Sequence, residues 1–280
     1  MRLSKLRRAV SERLKSVCGE DARFDTDLLI EKAYGIPFGK IALEGDREVD
    51  ESNLEPLVAR RLKGEPTQYI LGQWEFFGLP FYVGDGVLIP RPDTEVLVEK
   101  GLELIKGTQS PRVLDLCSGS GCIAVAIKKH RPDASVTAVE LYDQAAEYLS
   151  RNVALNNAEV EVRRADVLKP VKAEEWGKFD LILSNPPYVD GKAMTTLSAE
   201  VKAEPHTALF GGEDGLDFYR AIAENWLELL GEKGAVAVEI GFDQGKSVPA
   251  IFKEKGLNTA VIKDYGGNDR VIIGTQSALI

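Results

Sequence analysis

From Arg112 to Ile240, short apolar runs alternate with helix-patterned stretches, and this alternation constrains the fold more than any other feature. Val113-Leu114-Asp115-Leu116, Val136-Thr137-Ala138-Val139, Val160-Glu161-Val162, Leu181-Ile182-Leu183 and Ala235-Val236-Ala237-Val238-Glu239-Ile240 read as strands. Ile123 to Lys129 and Ala145 to Leu155 read as helices between them. Such alternation predicts an α/β fold whose parallel sheet carries helices on both faces. Two late strands, near Thr259–Ile262 and Arg270–Ile273, flank the turn Tyr265-Gly266-Gly267-Asn268 and predict an antiparallel edge.

The N-terminal stretch has a different period. Leu3, Leu6, Val10, Leu14 and Val17 recur at helical spacing. A second helix is expected to begin near Asp25-Thr26-Asp27, read as capping residues, and to stop near Gly35-Ile36-Pro37. A third runs from Asp50 or Ser52 to Leu62. The first helix carries Arg2, Lys5, Arg7, Arg8, Arg13 and Lys15. They form either a solvated face or a docking face for an acidic or RNA-containing partner. Between Trp74 and Pro90, short apolar runs separated by Gly and Pro predict a hairpin. Thr94 or Asp93 is expected to cap a helix starting near Glu95.

With a net charge of −9 across 280 residues, the chain lacks the Lys and Arg excess of a broad nucleic-acid surface. Cys18, Cys117 and Cys122 are too few and too scattered for a disulfide framework, which predicts reduced thiols and a cytoplasmic setting. With His130 and His206 they suggest no metal cluster. No apolar run approaches the roughly 18–20 residues of a membrane span.

The chemistry concentrates at strand ends. Asp115-Leu116-Cys117-Ser118-Gly119-Ser120-Gly121 joins the first strand to its helix, with glycines that permit a tight turn and close approach of a ligand to backbone amides. Asp115 either positions this loop or receives a ligand ammonium. Glu140 ends the second strand, where a carboxylate can accept from ribose hydroxyls. Asp166 follows the third, suited either to an adenine amino group or to an Asx-turn, with Val167 beside the ring. The loop also satisfies the dinucleotide pattern G-x-G-x-x-A, so a nicotinamide-dependent oxidoreductase stays open. Asn185-Pro186-Pro187-Tyr188 follows the fourth strand. The prolines fix φ and remove two donors, while the Asn amide and the Tyr ring suit a flat amino group.

Together these motifs resemble a class I S-adenosylmethionine-dependent methyltransferase acting on an amino group. Pro66-Thr67-Gln68-Tyr69-Ile70-Leu71-Gly72, Glu75-Phe76-Phe77-Gly78-Leu79-Pro80, Leu88 to Glu95, Glu204-Pro205, Asp214-Gly215-Leu216 and Gly267 to Val271 resemble the peptide chain release factor N5-glutamine methyltransferases. The resemblance implies a Rossmann-like, mostly parallel seven-stranded methyltransferase domain over 91–280. It also implies a helical substrate-docking domain over 1–72 and a β-hairpin linker over 73–90. The cofactor would be S-adenosyl-L-methionine, leaving as S-adenosyl-L-homocysteine, without a metal. The substrate would be the glutamine of the Gly-Gly-Gln motif in class I release factors, in support of translation termination. The alternatives are a ribosomal-protein glutamine or adenine N6 in DNA.

Asp115, Cys117, Ser118, Gly119, Ser120, Gly121, Glu140, Asp166, Val167 and Asn185 would then bind cofactor. Asn185, Pro186, Pro187 and Tyr188 would hold the substrate, with Asn185, Pro186 and Tyr188 catalytic. Three positions depart from the family pattern: Cys117 for a glycine, Glu140 for Asp, and Val167 for an aromatic. A side chain at residue 117 predicts a negative φ there. Arg91 and Glu95 are expected to brace the hairpin or to contact the release factor, and Glu204-Pro205 to order the loop after Tyr188.

Overall fold

The computed structural model describes residues 1–276 and divides into two compact units. The first comprises Met1–Trp74 with Val83–Asp85 and Ser198–Ala203. Its helices are α1 (Leu3–Cys18), α2 (Ala22–Tyr34), α3 (Glu55–Leu62) and α4 (Thr67–Leu71). Leu3, Leu6, Val10 and Leu14 of α1 meet Leu29 and Ile30 of α2 and Val58 of α3 in a small core.

Helix α2 starts three residues before the expected position, so Asp25, Thr26 and Asp27 do not cap it. All three are buried within it. Asp25 accepts from Arg61 Nε at 2.7 Å and Asp27 from Arg7 Nε at 2.6 Å, while the Thr26 hydroxyl donates to the Ala22 carbonyl. The interhelical arginines draw Asp25 and Asp27 inside. Arg61 also pairs with Glu200. Cys18, Asp25 and Glu200 stand close enough to share a cation, and the Arg61 guanidinium already fills that role. Asp50 caps a short 3-10 turn before α3 by accepting from Ser52 N–H. Arg2, just before α1, and Arg7, Arg13 and Lys15 on it form ion pairs with acids of the same unit.

Strands β1 (Gln73–Phe76) and β2 (Leu79–Tyr82) form a hairpin. Phe76 and Phe81 are buried in the core of the second unit, and Asn152 both donates to and accepts from the Tyr82 backbone. Glu95 accepts from Phe77 N–H at 2.9 Å, bracing the hairpin turn.

The second unit holds β3 (Arg112–Leu116), β4 (Ser135–Val139), β5 (Val160–Arg163), β6 (Phe179–Ser184), β7 (Leu230–Glu239), β8 (Asn258–Lys263) and β9 (Asp269–Thr275) in one sheet. Their order is β5-β4-β3-β6-β7-β9-β8, parallel except for the pairings of β9 with β7 and β8. Apolar cores cover both faces, one gathering α5 (Glu95–Leu104) and α6 (Cys122–His130), the other Tyr219, Trp226 and Phe252. Helix α7 (Asp143–Leu155) follows β4. Among the described residues no helix is long and apolar enough to cross a membrane.

Register decides what stands at the carboxyl edge. Val139 pairs with Leu116, Leu116 with Ser184, and Ser184 with Val238. The next residues, Glu140, Cys117, Asn185 and Glu239, therefore stand in one row across four adjacent strands. Parallel α/β sheets bind ligands at this edge.

Candidate functional site

A cleft open to solvent lies over that row. Cys117, Ser118, Gly119, Ser120, Glu140, Asp166, Val167, Asn185 and Pro187 line it; Asp115, Gly121, Pro186 and Tyr188 do not.

The loop after β3 is held by short bonds. Ser118 N–H donates to Val139 O at 2.9 Å, and the Ser118 hydroxyl donates to Asp115 O while accepting from Val139 N–H. Asn152 on α7 donates to Ser120 O at 2.9 Å. These bonds carry the chain through φ 59° at Cys117, 53° at Gly119 and 78° at Gly121. The negative φ expected at Cys117 is thus overturned: the cross-strand bonds on either side of it demand a left-handed turn whatever the side chain. Gly121 is also tight, since an added Cβ would sit 3.0 Å from Leu149. At Gly119 an added Cβ would meet open space. Burial, reinforced by the Glu140 charge, holds the Cys117 thiol protonated, and burial pushes the Cys122 thiol up to about 12.

Glu140 binds backbone on both oxygens: Oε2 accepts from Gly119 N–H at 2.8 Å, and Oε1 accepts from Leu141 and Tyr142 N–H. It welds the ends of β3 and β4 and still faces the cleft. Asp166 Oδ1 accepts from Leu168 N–H at 2.9 Å, an Asx-turn that leaves the residue on the lining. Val167 is buried, and its carbonyl accepts from the Trp226 indole. Asp115 lies beneath the loop with no exposure, and neither carboxylate oxygen has a hydrogen-bond partner among the described residues. Burial pushes its carboxyl up to about 7.

The motif after β6 is packed from behind by glycines. A Cβ at Gly211 would lie 2.6 Å from Pro187 O, and one at Gly215 2.4 Å from Tyr188 O. Gln244 Nε2 donates to Tyr188 O at 3.2 Å and to Gly215 O at 3.1 Å. Tyr188 packs against the second core, and burial raises its phenol. Glu204 is buried, pairs with Arg91 and accepts from Ile89 N–H at 2.9 Å, which fixes the start of the segment whose Pro205 and Thr207 line the cleft. Gly211, Gln244 and Glu239 went unread in the sequence. For Glu239 the signal was present, a carboxylate closing an otherwise apolar strand.

The residues 93–210 match the family model "Methyltransferase small domain", and residues 5–72 match "PrmC N-terminal domain". A release factor glutamine methyltransferase of Thermodesulfovibrio yellowstonii is 45% identical over 80% of this chain and 81% of its own length. One from Fusobacterium nucleatum is 39% identical, covering 90% of this chain and 73% of its own. Among solved structures, a methyltransferase from Pyrococcus furiosus is 21% identical with a TM-score of 0.55, covering 72% of this chain and 91% of that one. That last likeness concerns the fold.

Proposed function

The chain belongs to the release factor glutamine methyltransferase family, and we propose that it methylates the side-chain nitrogen of the Gly-Gly-Gln glutamine in class I release factors. The observation that carries this reading is the convergence of the loop Cys117–Ser120, Glu140 and Asn185 on one cleft at a single strand edge. The donor set fits S-adenosylmethionine. Glu140 stands where ribose hydroxyls can donate to it, Val167 and Leu141 offer apolar contact to an adenine, and Gly119 leaves room at the backbone. Asp115, buried beneath the loop and without a hydrogen-bond partner among the described residues, would supply negative charge toward the cofactor's ammonium once ionised. When bound, the sulfonium supplies an already activated methyl group.

The protein's own part is alignment. A glutamine amide nitrogen is a weak nucleophile because its lone pair is delocalised into the carbonyl. Asn185 Oδ1 and the Pro186 carbonyl accept from the substrate NH2, orienting it and favouring positive charge on nitrogen as the methyl arrives. Tyr188 covers the amide plane. With the cofactor held there, the C–N bond would form as the C–S bond broke, and a proton would then leave nitrogen to solvent. The free thiols Cys18, Cys117 and Cys122 suit a reducing, cytoplasmic setting.

Incubation with labelled cofactor and a release factor, beside a release factor whose tip glutamine is replaced, tests the substrate. Label is expected only on the intact tip; equal transfer to both rejects the assignment. Asn185→Ala is expected to lower kcat by about 100-fold or more with cofactor Kd nearly unchanged. Glu140→Ala is expected to raise cofactor Kd more than it lowers kcat.

A further inference from the structure

Thr94 or Asp93 was expected to cap α5; Thr94 holds the N-cap position, and its side chain does not cap the helix. It makes no capping hydrogen bond, and its backbone is already helical, with φ −67° and ψ −19°. Its hydroxyl is buried at 1% exposure and donates to Glu239 Oε2 at 2.6 Å. The Thr94 hydroxyl oxygen in turn accepts from Asn185 Nδ2 at 3.1 Å. Glu239 is itself 1% exposed, and its position beside Asn185 follows from the parallel register of β6 and β7.

A threonine hydroxyl has one proton. Committed to Glu239 Oε2, it leaves only lone pairs toward Asn185, so it receives the NH2 half of that amide. The Oδ1 half is thereby turned away from Thr94. Without such a partner the two halves of an asparagine amide are nearly equal in shape, and either can face the substrate.

We propose that Thr94 and Glu239 are positioning residues that fix the amide orientation of Asn185, so that an acceptor rather than a donor meets the substrate NH2. This rests on the reading of Asn185 as the group that receives the substrate amide. An inverted Asn185 would set NH2 against NH2, removing an acceptor and adding a repulsive contact at the reacting nitrogen. Buried polar groups of this kind take their effect from having a single satisfied arrangement.

The test uses the full-length enzyme, labelled S-adenosylmethionine and a release factor. Thr94→Val keeps the shape and removes the hydroxyl; Thr94→Ser restores it. Thr94→Val is expected to lower kcat at least tenfold with cofactor Kd within twofold, and Thr94→Ser to keep more than half of the wild-type kcat. Glu239→Gln lets an amide NH2 donate to Thr94, frees the hydroxyl proton for Asn185, and is expected to lower kcat as Thr94→Val does. Retention of kcat in Thr94→Val, or a loss in Thr94→Ser as large as in Thr94→Val, overturns the proposal. Asn185→Ala keeps the two readings apart. If it retains kcat, the role given to Asn185 fails; if it loses kcat while Thr94→Val does not, only the positioning role fails.

Discussion

A Cβ at positive φ crowds the following carbonyl, and a non-glycine residue there is strained by about 1–2 kcal/mol. Cys117, at φ 59°, bears that strain inside the loop it helps to form. Cys117→Gly relieves it but adds freedom to the unfolded chain, roughly 0.5–1 kcal/mol, so its stability is expected within about 1 kcal/mol of wild type. Cys117→Val places a branched side chain in the same region and is expected to cost about 2 kcal/mol or more. Urea unfolding of the three proteins measures both, and a valine variant as stable as wild type contradicts the strain argument. The loop itself was legible from Gly119 and Gly121; the backbone state of Cys117 was not. Local preference says negative φ, and the bonds from Ser118 to β4 and from Gly119 to Glu140 override it.

At the scale of elements, the strands of the large sheet were legible because a buried parallel strand is a continuous apolar run, as in Leu181-Ile182-Leu183, whereas the apolar run Val87-Leu88-Ile89, also read as a strand, forms none. Helix starts were harder, and α2 shows why. Asp25-Thr26-Asp27 has the composition of an N-cap, but Arg61 and Arg7, distant in sequence, turn two of those residues into buried ion-pair partners. Thr94 followed the same course, from expected cap to partner of Glu239, 145 residues away. No local window contains such partners. Asp25→Ala leaves the Arg61 guanidinium, 3% exposed, without its Nε partner and is expected to destabilise the protein by about 3 kcal/mol. Asp50→Ala, which removes an exposed cap, is expected to cost clearly less than Asp25→Ala. Chemical denaturation of the pair distinguishes a buried anchor from a cap, and equal losses count against the anchor.

Over the whole molecule, the buried carboxyls of Asp115 and Glu239 exact a stability cost that depends on pH. Asp115 and Glu239 are both fully buried, and burial raises each carboxyl to about 7. The folded chain therefore holds their protons more tightly than the unfolded chain, whose carboxyls titrate near about 4. Between those values the unfolded state binds fewer protons, so folding stability falls as pH rises. The stabilisation is complete below about pH 4 and is lost as pH climbs through about 7. For Asp115 alone the loss is on the order of 3–4 kcal/mol at most. Exposed acids held low by their partners, such as Asp133 at about 2 beside Arg131, act only at the acid end. The cofactor-free enzyme is thus expected to melt at a higher temperature near pH 5.5 than near pH 8. Asp115→Asn, which cannot ionise, is expected to match wild type at the lower pH and to exceed it at the higher one. Saturating S-adenosylmethionine, whose ammonium compensates an ionised Asp115, is expected to narrow the difference between the two proteins at pH 8. Melting curves at both pH values decide the matter, and an Asp115→Asn advantage that does not grow with pH places the cost elsewhere.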